Sequence, residues 1–153
     1  MSIRTAMSDD VPSLLSLAVD FYQEDGFTTS EADLRANLTT LVGLSTARVA
    51  VSEEGGRLVA FAITTTTFGL ESGLIAELED LYVAPDARRR GQAQRLIEDS
   101  LSWSAGLGCT HLEIVIAPNG QDVSHLFAFY RKRGFVDEGR RLLSQPLKPH
   151  TGE

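Results

Sequence analysis

The stretch LIAELEDLYVAPDARRRGQAQRLIEDSLSWSA, residues 74–105, decides the fold. Its first ten residues are largely apolar and favour a strand, and residues 84–86 (APD) are typical of a turn. Three arginines and Gly91 then precede an amphipathic helix. Where such a turn opens a helix, free backbone N–H groups and the positive end of the helix dipole point outward, so the stretch predicts a site for a phosphorylated ligand.

The segments on either side of this stretch predict a mixed α/β protein with the order β-α-α-β-β-β-α-β-α-β-β. Apolar residues at helical spacing predict four helices, within residues 8–22, 30–43, 93–105 and 122–134. Alternating or β-branched segments predict strands at 3–6, 48–52, 57–67, 74–83, 109–116, 135–136 and 140–146. We interpret residues 1–147 as a single domain and expect the tail, residues 148–153, to be disordered.

Composition excludes several classes of protein. The net charge of −7 argues against a nucleic-acid partner, because contact with phosphates needs a basic surface. No apolar run is long enough to cross a bilayer and no signal segment opens the chain, so we expect a cytoplasmic protein without a membrane partner. The single cysteine, Cys109, leaves no cysteine cluster for zinc, and we expect no metal.

Charge is divided unevenly along the chain. Residues 1–86 contain 4 Lys/Arg and 14 Asp/Glu, whereas residues 87–153 contain 10 Lys/Arg and 7 Asp/Glu. A basic second half suits an anionic ligand and an acidic first half suits a cationic partner. The alternative interpretation is that acidic surface only keeps the protein soluble.

The arginine turn does not match the loop of nucleotide hydrolases or the three-glycine dinucleotide motif. Residues 88–93 (RRRGQA) fit the pattern Arg/Gln-x-x-Gly-x-Gly/Ala, and residues 129–135 (FYRKRGF) form a second block. Together these motifs resemble the acetyl-coenzyme-A-binding motifs of the Gcn5-related N-acetyltransferases (GNAT family). The resemblance implies the GNAT fold, acetyl-CoA as co-substrate and, as one option, a homodimer.

The resemblance also assigns cofactor-binding residues. Main-chain groups at the end of the central strand would pair with the pantetheine arm, backbone N–H groups of residues 89–93 would hold the pyrophosphate, and the arginines would add charge. The asparagine that the family usually places seven residues before the tyrosine is Val123 here, and Asn119 is the candidate to supply that contact. The complete set is Leu81, Tyr82, Val83, Arg88, Arg89, Arg90, Gly91, Gln92, Ala93 and Asn119.

Acetyl transfer to an amine needs a base, because an alkylammonium with a pKa of about 10 cannot attack until it loses a proton. Glu77 and Glu79 lie two apart on the predicted strand and would share one face with Leu81 and Val83, with Asp80 opposite and structural. By resemblance either glutamate is the base, Glu79 being preferred, and Tyr130 protonates the departing thiolate. The alternatives are solvated or ion-paired glutamates and a tyrosine that is only part of the core.

The resemblance, together with the acidic first half of the chain, implies an acetyl-CoA-dependent N-acetyltransferase that moves an acetyl group directly to a primary amine of a small cationic acceptor. A polyamine or an aminoglycoside-like molecule is the preferred acceptor, and an amino acid or a protein amine is the alternative. A second hypothesis is a non-catalytic sensor of acetyl-CoA or a cationic ligand on the same fold.

Overall fold

A computed structural model describes residues 2–149 and contains a five-stranded sheet with helices on both faces. The sheet order is β1-β2-β3-β4-β5, antiparallel throughout except for the parallel pair β4 and β5. The strands are β1 (Ser2–Thr5), β2 (Ala47–Glu54), β3 (Arg57–Gly69), β4 (Gly73–Val83) and β5 (Leu112–Ile114); the helices are α1 (Val11–Glu24), α2 (Glu31–Gly43), α3 (Gln92–Gly106) and α4 (Ser124–Arg131). The predicted mixed α/β class is confirmed.

Helices α1 and α2 cover one face of the sheet. Pro12 stands in the first turn of α1, where its missing N–H costs no intrahelical bond, and the Ser30 Oγ caps α2 by accepting from the Asp33 N–H at 3.1 Å. The apolar stripe of α1, including Leu14 and Phe21, is buried against strands β2 to β4. Leu34 and Leu38 of α2 belong to the same buried cluster, so both helices are held against this face of the sheet.

Helix α3 covers the opposite face. Its Leu96 and Ile97 are fully buried against the sheet. Two polar contacts orient the helix further along: the Arg48 guanidinium donates to both Asp99 carboxylate oxygens at 2.7 and 2.9 Å, and the buried hydroxyls of Thr64 and Ser100 lie 2.8 Å apart. The middle of α3 is therefore attached to β2 and β3.

The closing part of the chain differs from expectation. Strand β5 is shorter than the predicted 109–116, and the strands predicted at 135–136 and 140–146 are wrong, because residues 135–149 contain no strand. A local turn forms instead, in which the Asp137 carboxylate accepts from the Gly139 N–H, and the following Leu143 is 93% exposed. With no buried face to receive them, these apolar side chains do not impose strand pairing.

Residues 150–153 of the predicted disordered tail lie outside the described residues. The single-domain interpretation of residues 1–147 stays a prediction. Within residues 2–149 no helix has the length and apolar character that crossing a membrane requires.

Candidate active site

A β-bulge at Glu79 reverses the side-chain alternation of β4. Leu78 pairs with Thr64 and Asp80 pairs with Ile63, so Glu79 has no partner on β3. From Asp80 onward every side chain therefore lies on the face opposite to the one that regular alternation predicts. Leu81 packs with the α3-side cluster, not on the face of the glutamates, and the predicted placement of Asp80 on the opposite face is wrong.

The bulge brings two carboxylates to one cavity. This cavity, of about 400 Å³, lies between α1, α2 and the sheet, and both Glu79 and Asp80 line it. Apolar side chains such as Phe61 and Ile63 form its floor. The Tyr22 hydroxyl donates to the Asp80 carboxylate at 3.1 Å.

Charge in this region is uncompensated. None of Glu77, Glu79 and Asp80 forms an ion pair with a residue of the described chain. Burial, followed by the hydrogen bond and charge of Glu79, raises the pKa of Glu77 to about 7. Burial also raises the pKa of Asp80, although the Tyr22 hydrogen bond opposes this, and the pKa of Tyr22 rises through burial and the nearby Asp80. The site therefore contains carboxylates without a cationic partner in the described chain, and one of them takes up a proton near neutral pH.

At its C-terminal end, β4 has main-chain N–H and C=O groups that do not pair with β3. Val83 pairs with Ala60, and the Ala84 N–H donates to the Val59 carbonyl, so Val83 belongs to a non-hydrogen-bonded pair. The N–H and C=O groups of Val83, and of Leu81 two residues earlier, consequently face the edge opposite β3. Strand β5 pairs with β4 only at residues 76–78, so it leaves this edge open.

The structure places Tyr82 differently from its two neighbours. Its main chain pairs with Phe61 of β3, and its ring is buried on the α1 side, stacked on Phe21 at 5.1 Å. Its hydroxyl donates to the Glu24 carboxylate at 3.1 Å. Tyr82 thus supports the strand but does not present groups to the open edge.

The turn before α3 has the expected free amides. Gly91 is the N-cap with φ of 78°, a left-handed conformation that suits glycine, and no side chain caps the helix. The N–H groups of the first turn, including that of Ala93, therefore have no intrahelical acceptor. Arg89, also left-handed at φ of 66°, is exposed and has no ion-pair partner within residues 2–149.

The other two arginines of the turn are held by acidic residues. Arg88 donates to the Val83 carbonyl at 2.9 Å and to the Glu24 carboxylate at 2.8 Å. Arg90 forms an ion pair with Glu54 at 3.1 Å. These arginines fix the turn in place, which leaves Arg89 as the arginine most available to a ligand.

Tyr130 lies on α4, half-buried against the cluster that contains Leu81 and Val83. The rings of Phe129 and Phe135 contact it edge-on, with centroids at 5.0 and 5.6 Å. Burial raises the pKa of Tyr130, so its phenol is protonated at neutral pH and can donate a proton. Both interpretations of Tyr130, core aromatic and acid, agree with this position.

Asn119 lies in the loop between β5 and α4, where its side-chain amide donates to the Asp25 carbonyl at 3.4 Å. This contact joins the loop to the end of α1, and no contact with a cofactor follows from it. Among residues 2–149 no group of three or more His, Cys, Asp or Glu side chains is arranged to hold a metal ion.

Sequence reasoning missed Tyr22, Asp80 and Glu24 as parts of the site. Tyr22 was visible only as one member of the α1 apolar stripe, and the bulge that redirects Asp80 contains no glycine or proline to mark it. Glu24 contacts Arg88 across 64 positions of sequence, a separation for which a single sequence offers no signal.

Comparison with known proteins agrees with this geometry. Residues 11–135 match the family described as Acetyltransferase (GNAT) family. An aminoglycoside N(6′)-acetyltransferase type 1 from Klebsiella aerogenes is 28% identical over 151 residues, covering 95% of this chain and 96% of the relative. An integron cassette protein from the mobile metagenome of Cole Harbour Salt Marsh superposes with a TM-score of 0.82 at 29% identity, covering 97% of this chain and 91% of that one.

A more distant structure adds evidence for the fold. An aminoglycoside N-acetyltransferase in complex with CoA superposes with a TM-score of 0.79 at 17% identity, covering 95% of this chain and 93% of that chain. In that protein the fold accommodates CoA.

Proposed function

Because this chain belongs to the GNAT family and is an N-acetyltransferase, we propose that it transfers the acetyl group of acetyl-CoA to a primary amine of a small cationic acceptor. An aminoglycoside-like amine is the first candidate and a polyamine the second. The observation that carries the proposal is the cavity with Glu79 and Asp80, which lies beside Glu77 and contains carboxylates without a cationic partner in the described chain. A cationic acceptor would supply the missing positive charge.

The residues present fit the coenzyme. The free amides at the start of α3 and the exposed Arg89 suit a diphosphate, and the outward main-chain groups of Leu81 and Val83 suit an arm that adds to the strand edge. When bound, acetyl-CoA supplies an activated acetyl thioester. Arg88 covers the Val83 carbonyl in this structure, so we expect its side chain to move when that carbonyl accepts a new hydrogen bond.

The glutamate pair serves as the base in this proposal. Glu79 lines the cavity, whereas Glu77 shares a hydrogen bond with it and has a pKa of about 7. At neutral pH the pair can therefore accept the proton that the acceptor ammonium loses. The amine nitrogen would then bond to the acetyl carbon of the thioester and give up its second proton to solvent as the amide forms. The carbon–sulfur bond breaks, and the phenol of Tyr130 gives its proton to the departing sulfur. The tyrosine regains a proton from solvent.

The acceptor is identified by measuring thiol release from acetyl-CoA with a panel of amines. A matched pair of aminoglycosides that differ only in an amine or a hydroxyl at the 6′ position tests the first candidate, and spermidine tests the second. We expect turnover with the 6′-amine and none with the 6′-hydroxyl compound at that position. Turnover restricted to amino acids or peptide amines would contradict the cationic-acceptor proposal while leaving acetyl transfer intact.

Location and assembly stay predictions. We propose that the protein acts in the cytoplasm, and that if it forms a homodimer, its exposed apolar side chains after α4, such as Leu142 and Leu143, contribute. Sedimentation of the wild type against Leu143→Asp measures this. A monomer at all concentrations would refute the homodimer.

A further inference from the structure

Gln92 is the first residue of α3, yet its side chain is only 1% exposed. A buried primary amide must satisfy both its acceptor and its donor, since an unpaired polar group in the interior destabilises the fold. The Gln92 Oε1 accepts from the Ser52 hydroxyl at 2.7 Å, and its Nε2 donates to the Glu54 carboxylate at 3.2 Å. Both partners belong to β2, two positions apart, and so share one face of the sheet.

The same contacts extend to the arginine turn. The other carboxylate oxygen of Glu54 forms an ion pair with Arg90 at 3.1 Å, and Arg90 donates a hydrogen bond to the Asp86 carbonyl at 3.1 Å. The segment from Asp86 to Gln92 is therefore tied to β2, an inner strand of the sheet. Free amides in a turn bind an anion well only when they are already held in the binding orientation.

We propose that Gln92 is a positioning residue that, through Ser52 and Glu54, holds the amides at the start of α3 in the orientation that receives the diphosphate of acetyl-CoA. The inference rests on the proposed function, which places that diphosphate at this turn. Gln92 itself presents only its backbone N–H to the ligand, because its side chain is directed into the protein. The general alternative is that this network only attaches α3 to the sheet.

The chain offers a matched control for that alternative. Ser100, like Ser52, is a fully buried serine with one side-chain hydrogen bond between α3 and the sheet, in its case to Thr64 at 2.8 Å. Ser100 lies two turns further along the helix, away from the arginine turn. Replacing either serine by alanine removes one such bond, so both variants should lose comparable thermal stability.

The test measures KM and kcat for two donors, acetyl-CoA and S-acetylpantetheine, which lacks the diphosphate. We expect Ser52→Ala to raise KM for acetyl-CoA about two- to ten-fold, the effect of one lost hydrogen bond, with kcat little changed. KM for S-acetylpantetheine should not change, and Ser100→Ala should alter KM for neither donor. Gln92→Met, which keeps the side-chain length but loses both bonds, should repeat the Ser52→Ala pattern with a larger rise.

Each contrary result has a distinct meaning. An equal rise in KM for both donors, or the same rise in Ser100→Ala, overturns the positioning role. A wild type with equal KM for both donors overturns the placement of the diphosphate at this turn, and with it the inference. A wild type that turns over neither donor with any amine refutes the proposed function itself.

Discussion

The pKa of Glu77 gives a quantitative prediction about the base. At a pKa of about 7, the ionised fraction of this carboxyl is about one-tenth at pH 6 and about nine-tenths at pH 8. A base acts in its ionised form, so the contribution of Glu77 to kcat/KM should fall about ten-fold between pH 8 and pH 6. The cause of the raised pKa is burial first and Glu79 second.

Glu77→Gln tests this directly. The substitution removes the group whose pKa is near 7 and leaves Glu79 as the only glutamate of the pair. The ratio of kcat/KM at pH 6 to that at pH 8 should therefore rise about ten-fold relative to the wild type, because the carboxyl that takes up a proton between these two pH values is gone. Comparing variants with one acceptor cancels the titration of the acceptor amine.

Two further variants complete the experiment. Glu79→Gln removes the carboxylate that lines the cavity, and we expect kcat/KM at pH 8 to fall about 100-fold, the usual contribution of a general base. Glu71→Gln makes the same charge change at an exposed turn and should alter neither quantity. An unchanged pH ratio in Glu77→Gln would show that another group sets the acid limb, and the assignment of the base would be wrong.

Three other substitutions test the site and the packing below it. Gly91→Ala forces an L-residue into φ of 78° and should lower the free energy of unfolding by about 1–2 kcal/mol in urea, whereas Gly106→Ala, without a positive φ, should not. Leu96→Ala opens a cavity under α3 and should lower the free energy of unfolding by about 2–5 kcal/mol. Leu101 is half-exposed, so Leu101→Ala should lower the free energy of unfolding by less than about 1 kcal/mol. Tyr130→Phe should reduce kcat at least ten-fold while CoA affinity by calorimetry stays unchanged, and unchanged kcat would remove Tyr130 as the acid.

Most of the fold could be predicted because its signals are local. The α1 stripe, the Ser30 cap and the turn at Gly91 each depend on residues within a few positions of one another, and the structure contains all three. The strands predicted after residue 134 failed for the opposite reason. Alternation there was a local signal too, but a strand needs a partner, and pairing is a long-range property that one sequence does not specify.

The candidate site shows the same division more sharply. One unpaired residue, Glu79, decides which way Asp80 faces, and nothing in residues 77–81 marks the bulge. Likewise the three arginines looked equivalent, but Glu24 and Glu54, from distant elements, hold Arg88 and Arg90. An arginine that a carboxylate already holds is less available to a phosphate, because binding would first have to break that pair. Motif reasoning could therefore locate the turn, whereas the role of each arginine depended on acidic partners that only the folded chain brings near.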